Sequence, residues 1–501
     1  MANLALINCT SLAPEAFLPL CDGKSAFDMV LELAGKLPNI SGLVCLCSKE
    51  DDLHGKIDSV PCISGLNSPG ELFAALQTLC EKQPELNSLF YLYGDTPFLD
   101  PALSERMWNN HRRYHADYTF ADAYPAGTAP EIIRASSVSA LARLAEGVRG
   151  PVKRDTVFEV LRRDINAFEI ETEIPPLDLR MLRICLAAED KAGYMLVKRV
   201  CDAGVRGAEA LLRYIHENQR VLRTLPSYLS VQISAGCPQT CSYCPYPGVA
   251  GDVQSLTDTM PLERFRELIQ NYSDFAGRGY VNLSPWGDPA LHPEIYDILD
   301  ALLEYPNLTA VLETAGIGWD RQALQKLADK SGERLIWIVS LDALTEETYR
   351  RLRGKGFQEA VDTAKFLLEL FPSSAWVQAV RMDSNEEELE QFYRSWKERT
   401  ENIIIQKYDH FCGRLPQRRV ADISPLKRNP CWHLKRDLVV RINGDVPMCR
   451  EDLDGHYSLG NIFRDGFETV WNRGEDYYIQ HLEQKYPALC SECDEYYTFN
   501  Y

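Results

Sequence analysis

The stretch YLSVQISAGCPQTCSYCPYP, residues 228–247, decides the fold. Its first six residues are an apolar run of strand length, and the turn that follows carries Cys237, Cys241 and Cys244. Three thiolates so close in sequence face one metal cluster only if the loop wraps around it, and Gly236 and Pro238 help the chain turn. They supply three ligands to a cubane that has four irons, which leaves one iron open for a small molecule. A zinc site wants a fourth ligand, and the nearest upstream histidine, His216, lies far from the loop.

Working outward from this loop, six apolar runs follow in order: Tyr228–Ile233, Tyr280–Leu283, Thr309–Leu312, Leu335–Leu341, Trp376–Val380 and Ile403–Gln406. Helical patterns at Pro261–Tyr272, Pro293–Leu303, Arg321–Ala328 and Phe357–Leu370 separate them. The alternation predicts an α/β fold, and six strand–helix units suit a partial (β/α)6 barrel of parallel strands. Ligands of such sheets sit at the C-terminal strand ends, where the cysteine loop lies. Upstream, the apolar runs 1–8 and 43–47 flank a helix-like Ser25–Leu37, and Ser88–Tyr93 ends in GDTPFLD. They predict a second, Rossmann-like α/β/α domain. The expected division is 1–195, a helical connector 196–226 closed by Pro226, the barrel 227–425, and a small cysteine-rich domain 426–501 that needs a staple to hold its thin core.

Composition narrows the function. The chain has 501 residues, 45% hydrophobic and 25% charged, and a net charge of −19. Such an acidic surface repels phosphate backbones and anionic bilayers, so neither nucleic acid nor a membrane is expected as a partner. The opening MANLALINCTSLAPEAF does not read as a secretion signal, and no run approaches a membrane span. The expected compartment is the reducing cytoplasm, where clustered cysteines mean metal sites. Of the 16 cysteines, Cys9, Cys21, Cys45, Cys47, Cys62, Cys80, Cys185 and Cys201 read as small buried apolar residues.

The CxxxCxxC loop, with Tyr243 before its last cysteine, resembles the signature of the radical S-adenosylmethionine (SAM) superfamily. The resemblance implies a 4Fe–4S cluster whose open iron binds SAM, a 5′-deoxyadenosyl radical that abstracts hydrogen, and a reductant such as flavodoxin or ferredoxin. Further on, NLSPWGDPALHPE occupies the place of the family's Gly-Gly-Glu-Pro segment, so Gly287, Asp288 and Pro289 are implied SAM contacts, with Asp for Glu and Trp286 for the first Gly. IVSLDALTEETYRRLRG resembles the fourth-strand segment that faces the SAM ribose, which marks Ser340 and Asp342. Capping of the helix that follows is an equally good role for Asp342. Glu313, in VLETAG, is a further polar contact by position.

Cys431, Cys449, Cys490 and Cys493, with RINGDVPMC around Cys449 and a hairpin expected at Leu438–Ile442, resemble the SPASM/twitch extension in its one-cluster form. Four thiolates imply an auxiliary 4Fe–4S cluster with every iron ligated, hence an electron relay. A four-cysteine zinc site would use the same ligands, and Cys412 is an extra thiol nearby. LFYLYGDTPFLD resembles the sugar-nucleotide nucleotidyltransferases of GT-A type, and implies Mg²⁺ at Asp95. Their Gly-rich basic loop is missing, however: INCTSLAPEAFLPLCDGKSAF offers only Lys24, and Leu186 stands where a second acid is expected, with Asp190 just beyond. The three-part layout resembles the spiro-SPASM family, for which no reaction follows. The readings left open are a radical SAM oxidase or crosslinking enzyme acting on a peptide or a sugar- or nucleotide-linked small molecule, a bifunctional nucleotidyltransferase, and a non-catalytic iron–sulfur sensor.

Overall fold

The computed structural model describes residues 2–49, 60–246 and 255–498. The chain divides into two compact units, Met1–Thr224 and Leu225–Tyr501.

The first unit is built on strands β1 (Ala2–Asn8), β4 (Ile40–Leu46), β5 (Cys62–Ile63), β6 (Leu86–Tyr93), β7 (Tyr118–Ala121), β8 (Glu131–Arg134) and β9 (Ile170–Glu173), with a short pair β2 (Pro19–Cys21) and β3 (Lys24–Ser25) apart from them. Among the described residues their order is β5-β4-β1-β6-β8-β7-β9. β1 runs parallel to β4 and β6, whereas β8 runs antiparallel to β6 and β7. Apolar clusters cover both faces, as a mainly parallel sheet requires. The helices Lys191–Asp202 and Ala208–Glu217, expected as a connector, pack Val197, Val200, Leu211 and Ile215 into this core. Two cysteines differ from their reading as apolar filler: Cys21 and Cys201 form a disulfide. Cys62 is exposed, while Cys9, Cys45 and Cys47 are buried as expected.

The second unit holds β10 (Tyr228–Val231), β11 (Gly279–Asn282), β12 (Leu308–Thr314), β13 (Leu335–Ser340), β14 (Ala375–Arg381) and β15 (Ile403–Lys407), the six expected strands. A seventh, β16 (Asp437–Val440), joins them in the order β15-β14-β13-β12-β11-β10-β16, every neighbour parallel. The expected hairpin turn closes at Gly444 (φ 87°), where Arg441 N donates to the Asp445 carbonyl (2.9 Å) and Gly444 N to that of Arg441 (2.9 Å); beyond the turn β16 pairs with β10, and β17 (Asp445–Pro447) with β18 (Ser458–Asn461).

The helices between strands follow ordinary rules. Leu262–Ala276 buries Phe265, Leu268, Ile269, Tyr272 and Ala276, an i, i+3/i+4, i+7 stripe, and ends at Gly277 with φ 79°. Asp320 caps Arg321–Ser331 by accepting from the amides of Gln322 and Ala323. Strand alternation sorts the two faces of the sheet. Leu229, Val231, Val281, Leu312, Val339, Val377 and Ala379 face the helices. On the other face Tyr228, Val311 and Ile338, flanked by Tyr280, Trp376 and Ile404, form a separate apolar floor.

Candidate active site and auxiliary metal centre

Two residues beyond that floor, on the same face, each of the six strands presents a polar side chain: Ser230, Asn282, Glu313, Ser340, Gln378 and Gln406. All six line one cavity of about 270 Å³ that also receives Cys237, Cys241, Cys244, Tyr243, Gly287 and Asp288. The expected positions thus converge, except Pro289 and Asp342, which do not reach the cavity wall.

The cluster loop is pinned from both sides. Thr240 and Ser242 donate their amides to the carbonyls of Arg353 (3.0 Å) and Leu352 (2.8 Å), and the amide of Asp288 donates to the carbonyl of Gly236 (2.8 Å). A Cβ on Gly287 would fall on the carbonyl oxygen of Ser234, so only glycine lets these two loops lie together. Burial pushes the thiol of Cys237 up to about 12 and that of Cys244 up to about 11, and raises Cys241 as well. Thiols so placed hold a proton at neutral pH unless a cation replaces it. Three such donors at the rim of one cavity fit a cluster with an open iron.

Asp288 is 2% exposed and accepts from Ala290 N (3.0 Å), Thr314 Oγ1 (3.0 Å) and Ala315 N (2.8 Å). Both its oxygens are therefore committed to tying this loop to the end of β12. Asp342 is engaged in a similar way. It meets Arg353 Nη1 at 2.5 Å and Tyr243 Oη with one oxygen, and accepts from Val380 N (2.7 Å) with the other. Capping falls to Thr345, whose side chain accepts from Thr348 N. Arg353, which the sequence reading missed, also donates to Tyr243 Oη and so props the cluster loop from behind. Burial raises Glu313, whose carboxylate faces the cavity with Arg450 as its charged neighbour.

Cys431, Cys449, Cys490 and Cys493 come together around a second chamber, and Cys412 lines it too. Burial pushes Cys490 up to about 12 and raises Cys431 and Cys449. An all-sulfur donor set of this kind fits a 4Fe–4S cluster, and fits zinc by donor type alone.

Arg450 lines both the cavity and the chamber. Its guanidinium pairs with Glu451 (2.9 Å), Glu495 (3.0 Å) and Asp409 (3.6 Å), while Lys407 pairs with Asp494 (3.1 Å) and Glu495. Burial and the nearby Glu495 push Asp409 up to about 6. Trp286, held at φ 58°, donates its indole N–H to the carbonyl of Arg450 (3.2 Å), and the Arg441 guanidinium lies over its ring. Trp286 thus ties the loop after β11 to the segment that carries Cys449.

In the first unit Asp95 is 3% exposed, and its carboxylate is taken by Arg154, whose Nε also donates to Glu189 (3.0 Å). The guanidinium supplies at Oδ2 the positive charge that a divalent ion would bring, while Oδ1 is left buried with no hydrogen-bond partner, one hard oxygen where Mg²⁺ takes several. These residues do not fit Mg²⁺. Leu186 is buried, and Asp190 caps the following helix by accepting from Gly193 N (2.8 Å).

Comparison with known proteins agrees with this layout. Residues 231–395 match the radical SAM superfamily, 431–494 the SPASM iron–sulfur cluster-binding domain, and 12–160 the MobA-like NTP transferase domain. An uncharacterized protein of Treponema pallidum is 38% identical over 358 residues, which span 69% of this chain and 98% of that one. Among solved structures, SuiB of Streptococcus suis bound to its precursor peptide SuiA is 12% identical, with a TM-score of 0.42 over 68% of this chain and 78% of its own. A cytidylyltransferase from Leptospira borgpetersenii is 17% identical, with a TM-score of 0.36 over 44% of this chain and 95% of its own. Among the described residues no helix is long and apolar enough to cross a membrane.

Proposed function

Because the chain belongs to the radical SAM superfamily and carries a SPASM iron–sulfur cluster-binding domain and a MobA-like NTP transferase domain, we propose that it cleaves SAM reductively, abstracts hydrogen from a peptide or a sugar- or nucleotide-linked small molecule, and oxidises or crosslinks it. The observation that carries this reading is the single residue Arg450 standing between a three-cysteine cavity and a chamber of further cysteines. That adjacency suits a site where hydrogen is removed beside a centre that accepts the remaining electron.

Cys237, Cys241 and Cys244 would hold the SAM-binding cluster, and Cys431, Cys449, Cys490 and Cys493 the auxiliary one. When bound, the first supplies the electron that breaks the SAM sulfonium and releases a 5′-deoxyadenosyl radical. The chain itself supplies position. Arg353 and Asp342 brace Tyr243 and the cluster loop, Asp288 braces the end of β12, and the floor of Tyr228, Val311 and Ile338 closes the cavity to water from below. The ring from Ser230 to Gln406 offers hydroxyl, amide and carboxylate groups to a hydrogen-bonding substrate. Arg450 and Lys407 keep the surrounding carboxylates neutralised as charge moves between the two sites.

With a strong reductant or reduced flavodoxin, cluster-loaded protein is expected to convert SAM to 5′-deoxyadenosine and methionine, and Cys241→Ala to convert none. Absence of 5′-deoxyadenosine from intact protein whose clusters are confirmed spectroscopically would replace this reading with that of a sensor.

A further inference from the structure

The auxiliary chamber contains one thiol more than a cubane has irons. Cys412 lies on the turn after β15, well before Cys431, yet it lines the chamber with Cys431, Cys449, Cys490 and Cys493. Its thiol interacts electrostatically with that of Cys493 across the same chamber.

The turn is bent so that it serves both sites. Phe411, Cys412 and Gly413 follow one another at φ 49°, 52° and 84°, a left-handed run that side chains other than glycine rarely adopt. Asp409 Oδ1 accepts from Phe411 N (2.7 Å), His410 Nδ1 accepts from Gly413 N (2.7 Å), and Arg414 pairs with Asp454. The result turns Phe411 toward the SAM-side cavity and Cys412 into the chamber. A strained bend held this firmly points to a role for the side chains it aims.

Each iron of a cubane takes one protein ligand, so five sulfurs cannot all be bound. Cys412 and Cys493 are the pair that interact within the chamber. We propose that Cys412 is an alternative ligand of the auxiliary cluster, exchanging with Cys493 at one iron. In the exchange the iron–sulfur bond to Cys493 breaks, the bond to Cys412 forms, and the Cys412 proton passes to Cys493, so the charge of the site is conserved. The centre is then closed by either sulfur and opens at one iron only while they change places. The proposal rests on the two-cluster reading above.

The test is iron and sulfide content, with EPR of the reduced centres, in anaerobically reconstituted full-length protein. Wild type, Cys412→Ala and Cys493→Ala are each expected to hold about eight irons with the auxiliary centre closed at every iron, whereas Cys412→Ala/Cys493→Ala, left with three thiolates, exposes one auxiliary iron whose EPR signal shifts on adding cyanide while SAM covers the first cluster. The two single variants should differ in the EPR signal of the auxiliary centre, because the ligand sulfur differs. Cys493→Ala whose auxiliary signal shifts with cyanide as the double variant's does would overturn the proposal while wild type stays at about eight irons; wild type at about four would remove the two-cluster reading itself. The radical SAM cluster retained in each variant reports that the fold is intact. Alkylation gives an independent readout: after loading, Cys412 should be labelled in wild type and protected in Cys493→Ala, and equal labelling in both would count against exchange.

Discussion

Arg353 has 6% of its side chain exposed and meets an Asp342 with none, so this ion pair works in a medium that screens it little. Removing one partner strands the other charge, which costs about 3–5 kcal/mol. Arg353→Met is therefore expected to lower the unfolding free energy read from urea denaturation by that amount, and Arg353→Met/Asp342→Asn to recover part of it; equal losses in both would show that the pair is not coupled. A second residue-scale prediction concerns Glu131, which burial pushes up to about 7 although Tyr93 and Tyr118 donate to it. Its unfolded carboxyl titrates near 4.5. The folded state therefore binds this proton more tightly, and stability falls as pH rises from about 4.5 to about 7, by on the order of 3 kcal/mol. Glu131→Gln lacks the ionisation and should become the more stable protein at pH 7.5 while matching wild type near pH 4.5. Thermal melts at the two pH values check this, and a constant difference would refute it.

At the scale of elements, the radical SAM sheet does not end at its own first strand. β16 adds itself beside β10, with Tyr228 opposite Asp437 and Val231 opposite Val440. The segment carrying Cys431 enters this strand and the segment carrying Cys449 leaves it, so strand pairing sets the spacing between the two cysteine sites. The other rigid joint is Gly287 under Ser234. Any side chain there must push the cluster loop off the β11 loop, since the obstacle is backbone. Gly287→Ala should abolish SAM binding and 5′-deoxyadenosine formation and destabilise the barrel by about 1–3 kcal/mol, the range of overpacked cores. A variant that binds SAM normally by equilibrium dialysis would show that the loops can part.

For the molecule as a whole, both cysteine sites lie in Leu225–Tyr501, and the first unit keeps a transferase fold whose expected metal residue, Asp95, is paired with Arg154. Fold alone does not carry activity, so a MobA-like domain without that metal site needs no transferase function. Asp95→Ala is expected to leave SAM cleavage within about twofold of wild type, and Mn²⁺ titrated into the full chain should give no bound EPR signal that this substitution removes. Loss of cleavage with both clusters retained would show that the first unit takes part in the reaction.

Much of this was readable in the chain. All six barrel strands and the cysteine loop follow from apolar runs and residue spacing, because hydrophobic periodicity and ligand count are local properties. The polar ring was legible in principle as well, as a polar residue two places after an apolar one on every strand, although Ser230, Asn282, Gln378 and Gln406 went unremarked. The remaining features were decided by contacts between residues far apart in sequence. Arg353 behind Tyr243, Arg450 between two cavities, Arg154 in the metal's place, β16 beside β10 and the Cys21–Cys201 disulfide carry no local signature. Asp288 and Asp342 show the difference most clearly: position marks both as polar groups near SAM, while tertiary packing commits their oxygens to the scaffold, because a buried carboxylate must find donors within the protein.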